Sequence, residues 1–266
     1  PAGSLQFEVG IQSFNPDVQQ RISRRQDNIK TADNLRWLVT QSHAHVHADL
    51  IFGLPGETLE SFAVGFDKLY WLAPHEIQFG ILKRLRGTPI TRHTLDYAMV
   101  YDPQTPYTIL QNATVDFQTM QRIKRFARYW EMVANSGRFT RTLKLLLTSG
   151  LLPDLQHDSA FNHFLNFSDW LWQTTGKTHE FAYEKLIDLM HAHLTSVRGL
   201  EVKEVQAALL GDYSGSGARG RPQCLVQLLN AQDLTTPKLP AKALAQRQSR
   251  HTAQAHSEKE LLKLEA

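Results

Sequence analysis

Asp49 is the residue from which chemistry is most readily argued. It interrupts the run Val46 to Phe52, which otherwise reads as a strand. A carboxylate inside an apolar parallel strand is costly to bury alone, so it is either hydrogen-bonded structurally or turned toward a ligand. Directly after that strand, Gly53-Leu54-Pro55-Gly56-Glu57-Thr58 packs two glycines and a proline into a tight loop ahead of an apolar-periodic helix. Glycines there supply backbone angles other residues avoid, Thr58 is placed to cap the helix, and Glu57 sits at its positive end. Such loops expose N–H groups and let a ligand approach the backbone closely. Arg24 is able either to pair with Asp49 or to hold a ligand carboxylate, although the Arg24-Arg25 pair also suits a solvated surface.

The remaining polar groups divide by position. Ligands of parallel α/β folds meet the carboxyl ends of the strands. Those ends carry Gln12-Ser13, Asp49 with the 53–57 loop, and Leu82-Lys83, so all are expected to line one pocket. His43, His45 and His47 fall at strand spacing, which invites a metal reading. Against it, His43 belongs to the loop at the amino end of the strand, away from the ligand face. His191 and His193 are two apart on a helix and do not face together. Cys224 lies beyond the last clear helix and reads as a free thiol rather than a nucleophile. The chain has no nucleophile elbow, P-loop or G-x-G-x-x-G.

These residues are positioned by a recurring pattern. A strand over about 5–11 leads through Asn15-Pro16, a cap and first-turn pair, into a short helix ending near Ser23. A second helix over about 29–41 places Ala32, Leu35 and Val39 on one face. After the strand 46–52, the helix 59–72 carries Phe62, Phe66 and Leu69 at helical spacing and is broken by Pro74; 76–82 is the third strand. Strands joined by helices are the signature of parallel βα units. Three strands do not close a barrel, so half a barrel or one side of a sheet is expected. Beyond Asp102 the period changes. Thr114 is read as the cap of a long helix bearing Phe117, Met120, Ile123, Ala127 and Trp130, which Asn135-Ser136-Gly137 stops. Helices follow at about 140–148, 159–174, 179–197 and 202–210, with Phe161, Phe164, Phe167, Trp170 and Trp172 as core. Residues 211–221 read as a loop, and the chain after Pro237 as fraying. The expected organisation is 1–100 as the βα part, 101–210 as an α-helical domain, and 211–266 as loop and basic tail.

Composition limits the classes of function. The 266 residues have a net charge of +3 and a charged fraction of 21%, which does not argue for a nucleic-acid partner. No apolar run approaches the roughly 18 residues of a membrane span, and no signal-peptide pattern opens the chain. With one cysteine, internal disulfides and an all-cysteine metal or cluster site are excluded for this chain alone, and a reducing cytoplasmic setting is expected. The first strand follows almost at once on Pro1, so the sequence reads as entering a larger fold midway.

Taken together, Glu8-Val9-Gly10-Ile11-Gln12-Ser13-Phe14-Asn15, then Arg24-Arg25-Gln26-Asp27, then Asp49 through Thr58 resemble the second half of a radical S-adenosylmethionine (SAM) domain. The pattern is similar to the oxygen-independent coproporphyrinogen oxidase type and to cobalamin-binding radical SAM proteins. Gly80 through Pro89, Pro106-Tyr107 and Asn135-Ser136-Gly137 favour the latter, in which a helical domain follows the barrel. The resemblance covers about residues 5–200. It implies an α/β fold, the C-terminal half of a partial (β/α)6 TIM-like barrel followed by an α-helical domain. It implies a 4Fe–4S cluster and SAM as cofactors, cobalamin in the parent protein, a small-molecule substrate, and a reductant such as flavodoxin or ferredoxin. Position by position, Gln12, Arg24 and Asp49 match SAM-contacting polar residues, while Glu8 stands where the relative differs. Ile51 and the Gly53 loop match the segment beside the adenine, and Leu82 or Lys83 the last-strand backbone contact. A carboxylate and an amide suit ribose hydroxyls and the methionyl ammonium, and an arginine suits the carboxylate. The C-x3-C-x2-C cluster loop is absent, so the chain as given is expected to be a fragment, inactive alone, of a methyltransferase- or cyclase-type enzyme. A non-catalytic scaffold or an RNA-modifying relative are the alternatives.

Overall fold

The computed structural model describes residues 5–148 and 159–233. Its parallel sheet holds β1 (Gln6–Gln12), β2 (His45–Phe52) and β3 (Glu76–Ile81) in sequential order. Between β1 and β2 lie α1 (Pro16–Arg21) and α2 (Asn28–Gln41), and α3 (Leu59–Trp71) joins β2 to β3. Local chemistry explains the starts of these helices. The Asn15 side chain accepts from the Asp17 and Val18 N–H groups, with Pro16 at the first helical position. Thr58 accepts from Ser61 N–H, as expected of a cap. The expected βα pattern is therefore present as a three-stranded parallel sheet; closure of a barrel is not seen among the described residues.

After β3 the chain forms a two-stranded antiparallel ribbon, β4 (Val100–Tyr101) with β5 (Ile109–Gln111). This corrects the reading of 102–210 as purely helical. The ribbon is anchored where Ile109 N–H donates to Leu82 O at 2.9 Å, so long-range pairing, not local propensity, makes the strand. Next comes α4 (Phe117–Trp130), whose cap is Asp116, accepting from Thr119 N–H. Thr114 is not the cap: its hydroxyl donates to Glu57 O at 2.8 Å and so ties the loop to the turn before α3. Phe117 is exposed, whereas Phe126 and Tyr129 are fully buried beside Met120, Ile123 and Trp130. The buried stripe is thus rotated from the one expected.

The rest is helical: α5 (Thr140–Thr148), α6 (Ala160–Thr175), α7 (Tyr183–Ala192), α8 (Val202–Ser216) and α9 (Val226–Asp233). Single π-type turns extend α4 over Glu131–Asn135 and α7 over His193–Val197. Residues 179–182, expected in a helix, precede α7. Conversely, 211–216, read as loop, continue α8. The reason is Asp212: its buried carboxylate accepts from Thr142 N–H at 2.8 Å, Arg141 N–H at 3.0 Å and both threonine hydroxyls, Thr140 and Thr142. It thereby caps α5 from another helix. The tail after Pro237 lies outside the described residues.

Aromatic residues from both sides of position 100 meet in one apolar cluster. Phe62, Phe66 and Phe79 pack against Phe126, Trp130, Phe161 and Phe164, with neighbouring rings 4.8–6.3 Å apart. Polar ties fix the contact. Trp130 Nε1 and Asn135 Nδ2 each donate to Ile77 O at 3.0 Å, and the Asp67 carboxylate accepts from Phe161 N–H at 2.8 Å at the start of α6.

Candidate functional site

Strand alternation sorts the sheet into two faces. One carries Val46, Ala48, Leu50 and Phe52 of β2 with Ile11 and Ile77, all buried. The other is polar, and the register sets it out in rows. Glu8, His47 and Glu76 form one row, Gly10, Asp49 and Gln78 the next, and Ile51 lies beside Gly80. A parallel strand covered by apolar layers on both faces reads as a continuous apolar run. The alternation His-Val-His-Ala-Asp in β2 instead marks a face that keeps polar groups.

The middle row holds the sharpest geometry. A bulge between Gly10 and Gln12 brings Gln12 opposite Leu50, and Gln12 takes φ 70°, a left-handed conformation that non-glycine residues rarely adopt. Its amide folds back over Gly10: a Cβ at that glycine would lie 2.7 Å from Gln12 Nε2 and 3.6 Å from Arg24 Nη2. Arg24 donates through Nη2 to Gly10 O and through Nε to Gln26 Oε1 at 3.1 Å. It forms no ion pair with Asp49 among the described residues. Asp49 Oδ1 and Gln12 Oε1 are both buried and have no hydrogen-bond partner there. Burial, and then the charge of Glu8, hold the Asp49 carboxyl above the usual carboxylate range, with His47 and Arg24 opposing. Glu8, Gln12, Arg24 and Asp49 are therefore brought together around Gly10, where two acceptors lack donors.

Other strand-end residues are engaged elsewhere. Ser13 Oγ donates to Glu57 Oε1. Both residues are buried, and burial pushes the Glu57 carboxyl up to about 7 against the lowering effect of that bond. Gly53 has φ 91°, and a Cβ on it would meet Ile109 Cγ2 at 2.8 Å and Met120 Cε at 3.3 Å; its carbonyl accepts from Asn112 Nδ2 at 3.2 Å. The glycine is needed for close packing against the second half of the chain. Leu82 is buried, its N–H donating to Phe52 O and its carbonyl accepting from Ile109, while Lys83 is exposed. A shallow cleft lined by Leu59, Glu60 and residues 111–116 and 119 includes none of the sequence-predicted site residues.

Among the histidines, His43 is an exposed loop residue. His45 and His47 instead join Glu76, which sequence reasoning missed as a partner. The available signal was parallel register, since Glu76 starts the strand whose first residue pairs with His47. His193 is buried between the rings of Phe167 and Trp170, each 5.1 Å away; neither ring nitrogen has a partner among the described residues, and burial pulls its pKa down to about 3. Cys224 is half-buried, and burial together with Asp188 pushes its thiol up to about 12, which suits an inert thiol.

Residues 95–264 match the family described as "Protein of unknown function (DUF4080)". The oxygen-independent coproporphyrinogen III oxidase of Thermostichus vulcanus is 32% identical over 112 residues, covering 41% of this chain and 34% of that protein. The protein of the same name from Escherichia coli K12 is 29% identical over 117 residues, 44% of this chain and 25% of its own length. Anaerobilin synthase of E. coli O157:H7 is 36% identical over 61 residues, 23% of this chain and 14% of that protein. The chain thus spans about a third or less of the length of these curated relatives. No helix among the described residues is long and apolar enough to cross a membrane.

Proposed function

This chain belongs to the family described as "Protein of unknown function (DUF4080)", and we propose for it the role of a SAM-binding half-site within a radical SAM-type enzyme acting on a small molecule. One observation carries the reading. Asp49 Oδ1 and Gln12 Oε1 are buried acceptors without hydrogen-bond partners among the described residues, gathered around Gly10, over which the Gln12 amide folds. Buried acceptors call for donors, and the ribose hydroxyls and methionyl ammonium of SAM are donors. Arg24, positioned by its bond to Gly10 O, offers its guanidinium to the methionyl carboxylate. Glu8 adds negative charge toward the ammonium. Ile51 lies beside Gly80 on the same face to meet the adenine, and Lys83 is exposed just past the end of β3. Ser13, Gly53 and Leu82 are taken up by contacts within the chain. The partial similarity to coproporphyrinogen oxidases supports this reading.

In such enzymes a reduced 4Fe–4S cluster would supply the electron that cleaves SAM to a 5′-deoxyadenosyl radical and methionine, whereas a methyl-transfer reaction would use SAM as the methyl donor. The residues present do not fit that cluster. The single cysteine, Cys224, lies in the short turn Gln223–Leu225 with its thiol held protonated. What this chain's residues contribute is binding and orientation of SAM. Assignment to the cobalamin-dependent branch rests on the motifs from Gly80 to Pro89 and the helical segment behind them, and a reductant such as flavodoxin or ferredoxin for the parent enzyme on the family resemblance alone.

The test is calorimetric titration of the 266-residue chain with SAM. Weak, saturable binding that Asp49→Ala and Gln12→Ala each reduce at least tenfold is expected. Binding that both variants leave unchanged, or none at millimolar SAM, overturns the half-site.

A further inference from the structure

A cluster of metal-ligating side chains sits at the amino end of the polar face, outside the group around Gly10. His45 Nε2 lies 3.3 Å from Glu76 Oε1, and His47 Nε2 lies 3.6 Å from Glu76 Oε2. One ligand atom from each of the three residues falls within 4.8 Å of the others. Tetrahedral ligands about 2.0–2.1 Å from zinc stand about 3.4 Å apart; the two measured distances, each to a different oxygen of Glu76, are close to that separation.

Hydrogen bonding accounts for one of the two contacts only, that of His45 Nε2 with Glu76 Oε1. At 3.6 Å the His47–Glu76 contact is too long for a hydrogen bond. His47 Nε2 is buried without a hydrogen-bond partner among the described residues, in a side chain 10% exposed, 3.6 Å from the Glu76 carboxylate. The other ring nitrogen is held. His47 Nδ1 lies 2.9 Å from Gln78 Nε2 and 3.4 Å from Gln6 Nε2. In this arrangement both amides offer N–H donors to Nδ1; ligation through Nε2 requires the Gln78 amide to turn so that its oxygen accepts Nδ1–H, which leaves the Nε2 lone pair for the metal. His75 contributes from the side. Its ring packs 4.6 Å from His45, and its own Nδ1 accepts from Val46 N–H at 3.1 Å, so it orients His45 rather than ligating through that atom. His45 is 41% exposed in its side chain, which leaves an entry path and room for water as a fourth ligand.

We propose that His45, His47 and Glu76 form a binding site for a single borderline divalent cation of the zinc class, for which two imidazoles and one carboxylate are suitable donors. The site lies one side-chain step from Asp49 along the same face and does not depend on SAM binding there.

The experiment strips the 266-residue chain with a chelator and titrates it with Zn2+ against a chromophoric competitor, with Co2+ as a visible-spectrum reporter. One equivalent is expected to bind at micromolar affinity or tighter, and Co2+ to give the intense bands of a tetrahedral site. Glu76→Gln weakens binding at least tenfold and His47→Gln at least 100-fold, whereas His43→Gln changes it less than twofold. Saturating zinc raises Tm by about 5 °C in the parent chain and not in Glu76→Gln. Far-UV circular dichroism without metal establishes that the variants fold; should His47→Gln not fold, the half-buried Glu76→Gln carries the comparison. Absence of binding at 0.1 mM zinc, or an equivalent retained by Glu76→Gln and His47→Gln alike, overturns the proposal.

Discussion

Replacing Glu57 by Gln removes a buried ionisable group while keeping an acceptor for the Ser13 hydroxyl. Glu57 is 2% exposed, and burial moves its carboxyl from an ordinary 4.5 up to about 7. The folded state therefore holds the proton more tightly than the unfolded chain. Stability due to this group is fully present below pH 4.5 and is lost as pH rises toward 7, where a charge must be kept inside the protein. Such a displacement is worth about 3 kcal/mol. Through the usual entropy of unfolding for a chain of this size, that is about 6–12 °C in Tm. The assay is urea denaturation, with thermal scans alongside, of the parent and Glu57→Gln between pH 4.5 and 8. Taking the difference between the two proteins cancels every other titrating group. The parent is expected to lose about 3 kcal/mol relative to Glu57→Gln across that range, most of it above pH 5.5. Curves that stay parallel within about 0.5 kcal/mol would show that the Glu57 carboxylate is solvated or paired in the folded protein, and the burial argument would be wrong.

Three further outcomes follow from the same physics. Gly10→Ala puts a methyl 2.7 Å from Gln12 Nε2 and displaces the amide over the strand; SAM affinity is expected to fall at least tenfold while Tm shifts by less than about 4 °C, read by calorimetry and scanning fluorimetry. Asp212→Ala leaves the buried N–H of Thr142 and its hydroxyl without their acceptor and is expected to cost about 2–4 kcal/mol in urea unfolding; a loss below about 0.5 kcal/mol would contradict the capping role. His193, held down to about 3 from 6.5 by burial, binds a proton in the unfolded chain but not in the folded one as pH falls through that interval. Acid destabilisation below pH 6.5 should accordingly be blunted in His193→Leu, and an unchanged acid limb in denaturation curves would contradict it.

The sequence alone specified those features whose causes are local. Asn15-Pro16 and Thr58 start helices because a side-chain oxygen two or three residues away satisfies the first N–H groups, and both caps form. Strand spacing put His45 and His47 on one side of β2, and helical spacing placed Phe62, Phe66 and Leu69 in the core. Asp49 stood out because its cost inside a strand is legible without coordinates. Tertiary structure decided what depends on distant partners. Residues 211–216 remain helical because Asp212 caps α5, and Thr114 yields the cap of α4 to Asp116 because its hydroxyl is bound to Glu57 O. Ser13 and Glu57, both strand-end candidates, are 44 positions apart and bury each other's polar groups. The pairing of His47 with Glu76, 29 positions away, is fixed by parallel register. Sequence periodicity carries which face a residue takes, but the row it shares is set only when the strands align.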